Sequence, residues 1–181
     1  MIITPTHDLN IDAYHDADSS ILYNYKEYND IIFVQSRTGF VINVDGCPVL
    51  WNSQIQSETA MSTMPLQVIA LAACCRELIP RIAMVGEMVA SVGFTQLKNS
   101  KMHVCINEDN AGAFILAQTL PTQLTPAIKH YVVKTHWFRE RCIDLVIVIK
   151  KISTAEQLGD KCTKCLPVAT FQYLRKNLMG W

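Results

Sequence analysis

The Asp45-Gly46 pair, set between two short β-rich runs, is the feature that most constrains how this chain folds. Asp-Gly between alternating apolar residues is a strong hairpin signal, because both residues tolerate the backbone of a tight turn. Thr38-Gly-Phe-Val-Ile-Asn-Val-Asp45 runs into the turn and Cys47-Pro-Val-Leu-Trp51 runs out of it. Before them, Leu9-Asn-Ile-Asp-Ala-Tyr-His-Asp16 alternates apolar and polar residues, as a half-buried strand does. Three antiparallel strands are therefore expected at the start, and their apolar face needs a cover. The stretch from Met64 to Leu78 supplies one. Leu66, Val68, Ile69, Leu71, Ala72 and Cys75 leave it apolar nearly all round, which predicts a buried central helix. Thr63 is its candidate N-cap, and Pro65 is tolerable in the first turn.

Beyond this helix, Pro80 is expected to begin a second one that ends near Gly93. Met102–Asn107 reads as a fourth strand, and Asp109 or Asn110 as the cap of a helix over Ala111–Gln118. Thr125-Pro126 has the form of another helix start, with a buried stripe of Ile128, Tyr131, Val132, Thr135 and Phe138. Asp144–Ile149 is a β-branched run suited to a strand buried on both faces. Ser153-Thr-Ala-Glu156 has the capping-box pattern that opens a helix, and the C-terminal segment reads as a final helix. Five strands interleaved with helices make an α/β sandwich around a mixed sheet.

At 181 residues the chain fits one domain over 1–181, with no repeat or linker to divide it. Half the residues are hydrophobic and 18% are charged, which excludes a disordered chain or a coiled coil. The densest apolar stretch, Val68–Cys75, is too short to span a bilayer, and the N-terminus has no signal-peptide core. An intracellular protein, cytoplasmic or nuclear, with no membrane partner is expected. Seven cysteines in irregular spacing argue against a disulfide framework. Cys162-Thr-Lys-Cys165 has zinc-ligand spacing but no second pair to complete a site, so reduced thiols are the expectation. Charge is uneven: residues 1–90 hold 4 Lys and Arg against 10 Asp and Glu, and residues 91–181 hold 12 against 6. That asymmetry suits a basic half that grips a polyanion and an acidic half that ligates metal, or simply a solvated surface.

Three carboxylates carry the chemical interest. Asp16 ends the first strand, Asp109 follows the strand over Met102–Asn107, and Asp160 lies in the helix opened by the Ser153 capping box. If the two strands are neighbours, the three acids converge at one edge of the sheet. Clustered carboxylates repel one another and need cations to stay ionised together. Mg²⁺ is the natural candidate, and a pair of such ions suits phosphodiester cleavage. On the helix after Pro126, His130, Lys134, Trp137 and Arg141 share a face at helical spacing, away from the buried stripe. Cations interleaved with an aromatic suit a nucleic-acid backbone, while a solvated basic face with Trp137 packed beneath a loop is the plainer alternative. Arg37, in Ser36-Arg37-Thr38-Gly39, touches nucleic acid or simply shapes the turn into the second strand.

Phrases along the whole chain resemble the RNase H region of copia-type retrotransposon polyproteins. They are DLNIDAYHDAD at 8–18, SRTGF at 36–40, GCPVLW at 46–51, ALAACCRELIP at 70–80 and NEDNAGA at 107–113. KHYVVKTHWFRE at 129–140, ISTAEQLGDKCTKCLP at 152–167 and the closing FQYLRKNLMGW continue in the same order. The resemblance implies an RNase H-like fold with a mixed five-stranded sheet and helices on both faces. It also implies cleavage of the RNA strand of an RNA–DNA hybrid with two Mg²⁺ ions, Mn²⁺ being a possible substitute. The implied partners are the hybrid and the reverse transcriptase part of the same polyprotein, which this chain is expected to lack.

The implied metal ligands fall on Asp16, Asp109 and Asp160, the last preceded by Gly159 where the family has Ala. The fourth implied ligand is a Glu near the start of the central helix, in Ser-Thr-x-Glu-Ala-Glu-Tyr. This chain reads Ser62-Thr-Met-Pro-Leu-Gln67-Val68, so Gln67 stands at that catalytic position. A carboxamide has the shape of a carboxylate without its charge, and its nitrogen does not ligate a cation. Asp18 and Glu58 are candidate substitutes whose local sequence places them elsewhere. After Asp16-Ala-Asp18 the chain has Ser19-Ser20-Ile21 in place of an aromatic, Ala and Gly, and Pro65 replaces another acid. The expectation is an RNase H domain with impaired or lost cleavage; the alternatives are a non-catalytic nucleic-acid-binding module and an inert remnant.

Overall fold

A computed structural model describes residues 8–18, 36–57, 62–91, 101–119 and 131–181. The strands are β1 (Leu9–Asp18), β2 (Arg37–Val44), β3 (Cys47–Ile55), β4 (Met102–Glu108) and β5 (Ile147–Lys151). The helices are α1 (Thr63–Ser91), α2 (Ala111–Gln118), α3 (Val132–Asp144), the single turn α4 (Asp160–Thr163) and α5 (Val168–Met179). The sheet order is β3-β2-β1-β4-β5. β1, β2 and β3 pair antiparallel, whereas β4 joins β1 in parallel and β5 joins β4 in parallel. This is the expected mixed five-stranded sheet.

The hairpin forms where the sequence places it. Asp45 and Gly46 take φ of 48° and 75°, the left-handed pair that a two-residue turn with the right twist requires. Alternation then assigns the faces of β1. Ile11 and Ala13 point into the main core with Phe40 and Ile42 of β2, Val68, Leu71, Cys75 and Leu78 of α1, Leu116 of α2, and Phe138 and Cys142 of α3. Asp12, Tyr14 and Asp16 point to the opposite face, which α4 and α5 partly cover. Helices thus lie on both faces. Gly39, opposite Asp16 in the register, lets α4 pack close against the sheet, since a Cβ there would fall 2.6 Å from the Cβ of Cys162.

Three expectations need correction. The helices expected on either side of Pro80 are one continuous α1. Pro80 removes one backbone bond, but both it and Arg76, whose carbonyl loses its donor, are exposed, so the lost bond falls on the solvent side of the helix where its cost is smallest. Burial does end there: Leu78 is the last buried residue of α1. Second, the run expected as a strand over Asp144–Ile149 starts inside α3 and turns at Leu145–Val146, with Val146 at φ 53°. A β-branched residue is strained in that region, and the sharp reversal from α3 into β5 imposes it. Among the described residues β5 is an edge strand paired only with β4, with Val148 58% exposed and two exposed lysines, not a strand buried on both faces. Third, the Ser153 capping box opens only a 3₁₀ turn over Thr154–Glu156. The Ser153 hydroxyl bonds the Glu156 carboxylate at 3.1 Å rather than a backbone N–H, and Asp160 begins a separate turn.

Other details agree. Asn110 caps α2 by accepting from the Ala113 N–H at 3.0 Å. Thr135 and Phe138 are buried on α3, and Cys142 extends that stripe. The Thr125-Pro126 start and Ile128 lie outside the described residues, as does Gly93. Among the described residues no helix is long and apolar enough to cross a membrane.

Candidate active site

Parallel pairing of β1 with β4 brings their C-terminal ends together, and the candidate residues gather there. Asp16, Asp18, Gln67, Asp109 and Lys164 all line one cavity of about 380 Å³. Asp160 stands beside it, buried, and joined to Asp16 through Lys164. Asp18, expected elsewhere, is thus brought into the cavity by the alternation of β1, two residues beyond Asp16 on the same face. Glu58 lies outside the described residues.

Asp16 is buried, and donors surround its carboxylate. Oδ1 accepts from the Gln67 carboxamide nitrogen at 2.9 Å. Oδ2 accepts from the Thr163 hydroxyl and lies 3.1 Å from the Lys164 ammonium. Gln67 is fixed by two further bonds, accepting from the Ala17 N–H at 3.2 Å and donating to the Ala17 carbonyl at 3.1 Å. Burial alone would raise the Asp16 pKa; the Thr163 hydroxyl, the Lys164 charge and the Gln67 amide outweigh it and hold Asp16 below the usual carboxylate range. Asp160 goes the other way. Burial and the neighbouring charge of Asp16 push it up to about 6, against the pull of Lys164. Lys164 is raised, since the two carboxylates overcome its desolvation.

Gln157 ties the third acid to this group. Its buried carboxamide nitrogen donates to the Asn107 carbonyl at 3.3 Å and reaches Asp109 Oδ1 at 3.5 Å. Its oxygen accepts from the Gly159 N–H at 3.2 Å, so one side chain holds both the end of β4 and the loop that carries Asp160. Gly159 itself rests against the β1 backbone, where a Cβ would fall 2.8 Å from the His15 carbonyl carbon. Lys164, Thr163 and Gln157 were not singled out in the sequence. The only signal for Lys164 was its spacing four residues after Asp160, which one helical turn makes a contact.

On the opposite face, His15 and Glu108 are both fully buried, with Nε2 3.2 Å from Oε2 in a contact that lacks hydrogen-bond geometry. Burial pushes Glu108 up to about 8 and His15 down to about 4. Glu108 has a raised folded pKa, so its stabilising contribution is complete below its unfolded value and is lost as pH rises through 8. His15 has a lowered one, so its contribution is complete above its unfolded value and is lost as pH falls through 4. Between about pH 4.5 and 6.5 the two effects oppose each other, and above that range only the Glu108 loss remains. Stability measured by urea unfolding is expected to decline from about pH 6.5 to 8, and Glu108→Gln is expected to remove that decline. An unchanged decline in the variant would assign it to other groups.

The expected nucleic-acid face is only partly described. His130 lies outside the described residues. Lys134 and Trp137 are half-buried, and Trp137 packs against the main core rather than beneath a loop. Arg141 is exposed, 3.8 Å from Asp144. Arg37 donates to the Ser53 hydroxyl at 3.1 Å, and Ser53 in turn donates to the Cys162 carbonyl at 2.6 Å, which anchors α4 to the hairpin. All seven cysteines are free thiols, Cys162 and Cys165 included.

No family model matches the chain. Over 168 residues it is 29% identical to the retrovirus-related Pol polyprotein from transposon TNT 1-94 of Nicotiana tabacum. That alignment covers 93% of this chain but 11% of the polyprotein. Among solved structures, LC11-RNase H1 isolated from compost superposes with a TM-score of 0.55 at 15% identity, over 87% of this chain and 94% of that one. The same enzyme in complex with an RNA/DNA hybrid gives 0.53 at 16% identity, over 86% and 94%. The N-terminal RNase H domain of a Mycobacterium tuberculosis protein gives 0.51 at 10% identity, over 91% and 98%. The fold is RNase H-like, and the sequence similarity is to a retrotransposon Pol polyprotein.

Proposed function

We propose that residues 1–181 form a single RNase H domain of a copia-type retrotransposon polyprotein, with its cleavage of RNA–DNA hybrids impaired by Gln67. One observation carries this reading: the Gln67 nitrogen donates to Asp16 Oδ1 at 2.9 Å in a buried contact. At the place where the resemblance implies a carboxylate that shares a cation with Asp16, this chain presents an N–H to Asp16 instead. A charge that would have recruited a cation is replaced by a donor that satisfies the aspartate.

The arrangement does not fit the pair of divalent ions that the resemblance implies. Both Asp16 oxygens are engaged by protein donors, one of them an ammonium shared with Asp160. Among the described residues no group of three or more His, Cys, Asp or Glu is arranged to hold a metal. Hybrid binding is a separate matter, because it needs only cations along the duplex backbone. The LC11-RNase H1 structure with a hybrid supports an RNA–DNA hybrid as the ligand class, and the proposed contacts, read from helical spacing alone, are Lys134 and Arg141 of α3. In the full polyprotein the reverse transcriptase part would deliver that hybrid.

Fluorescence anisotropy with a labelled hybrid, at several salt concentrations, tests this. Binding is expected to fall with salt, to leave the bound RNA uncut, and to weaken about tenfold when Lys134 and Arg141 are both replaced by Ala. A folded protein that binds no hybrid would be an inert remnant. Binding that is indifferent to the double variant would place the contact surface elsewhere.

A further inference from the structure

We infer that the Lys164 ammonium is the resident cation of the carboxylate cluster, seated between Asp16 and Asp160 where a divalent ion would have to enter. The inference rests on the reading of the site given above. Nζ lies 3.1 Å from Asp16 Oδ2 and 2.9 Å from Asp160 Oδ1, so a single charge bridges acids from two separate elements. The bridge is built by local structure. Lys164 follows Asp160 by four residues, and one helical turn returns its side chain over that carboxylate. The preceding residue, Thr163, donates its hydroxyl to the same Asp16 oxygen, so α4 presents two consecutive donors to β1. Close packing holds the turn in place, with Gly159 against His15 and Gly39 beneath Cys162.

Two buried carboxylates this close demand a positive partner. In this chain that partner is covalently attached, so the cluster is compensated as soon as α4 docks on β1, without any ion from solution. Divalent binding becomes a competition: the ion must expel the ammonium and also lacks the charge that a Glu at position 67 would have supplied. Lys164 is 29% exposed, which leaves its side chain a path outward when displaced. The energetic coupling between ammonium and ion is negative and reciprocal, so removing the ammonium must tighten the ion.

Mn²⁺ titration followed by electron paramagnetic resonance of the free ion, together with thermal unfolding in EDTA or Mn²⁺, tests this on the full chain. The unaltered protein is expected to bind Mn²⁺ weakly and to melt at the same temperature in either solution. Lys164→Met is expected to bind Mn²⁺ on the order of tenfold tighter and to gain a melting temperature that rises with Mn²⁺. Lys164→Arg, which keeps the charge, is expected to bind as weakly as the unaltered protein. If Lys164→Met folds only with Mn²⁺ present, the resident-cation role is supported directly. Equal Mn²⁺ affinity in the unaltered, Met and Arg proteins would overturn it. These readouts do not involve hybrid cleavage, so failure here leaves the Gln67 reading standing, and failure of Gln67→Glu to cut leaves the Mn²⁺ result intact.

Discussion

Gly159→Ala is expected to destabilise the fold by about 2–3 kcal/mol and to loosen the carboxylate cluster with it. A Cβ at this position would fall 2.8 Å from the His15 carbonyl carbon, 2.9 Å from the Asp16 nitrogen and 3.1 Å from the His15 Cα. All three are backbone atoms of β1, held there in its ladder with β2, so no side chain can rotate away to make room. The clash must be relieved by moving the Gly159 loop off β1. That motion would lengthen the Gly159 N–H to Gln157 bond and carry Asp160 and Lys164 away from Asp16. Urea unfolding should register the loss as a lower midpoint at unchanged slope, the mark of a stability change in the native state. The substitution is instructive because the resembled family carries Ala there. An alanine that costs nothing would mean that α4 and β1 sit further apart than described, and the Lys164 bridge would lose its support.

Much of this architecture was legible because it rests on local rules. Asp45-Gly46 demands left-handed residues at a turn, and both take them. The all-round apolar character of Leu66–Leu78 demands burial, and that half of α1 is the centre of the core. Asn110 caps α2 because its side chain can reach an N–H three residues on, which needs no tertiary information. The convergence of Asp16 and Asp109 required one tertiary fact, that β1 and β4 are neighbours. The illegible parts are those where tertiary packing outweighs a local signal. Pro80 is normally a boundary, yet its cost falls on an exposed turn where water can repair it. The Val146 region looks like a strand by composition, and the reversal between α3 and β5 overrides that preference.

The site shows the same division. The sequence identifies Gln67 as a neutral residue at a place where the resemblance implies an acid. Which way its amide points, and that its nitrogen meets Asp16, depends on the register between α1 and β1. Lys164 is less legible still: lysines near the end of a short helix are usually solvated, and only the docking of α4 against Gly39 and His15 turns this one toward two acids. For Trp137, helical spacing alone leaves open a nucleic-acid contact or packing beneath a loop. The structure packs it against the main core instead, a contact that needs the docking of α3 on the sheet and α1.

Gln67→Glu is the change with the largest expected effect on activity. It places a carboxylate against Asp16 Oδ1 where an N–H now donates, so two buried negative charges face each other with one ammonium nearby. Without divalent ions this repulsion should lower the melting temperature. With them, the added charge favours the ion over Lys164 and supplies the missing ligand type, so stability should recover with the ion. A gain of transition-state stabilisation of about 4 kcal/mol would raise the rate about a thousandfold. The most direct measurement is cleavage of an end-labelled RNA–DNA hybrid in Mg²⁺ and in Mn²⁺, with the unaltered protein and Gln67→Glu side by side. Only the variant is expected to cut. Cutting by the unaltered protein at a comparable rate would contradict this, and would mean that the aspartates suffice with Gln67 in place.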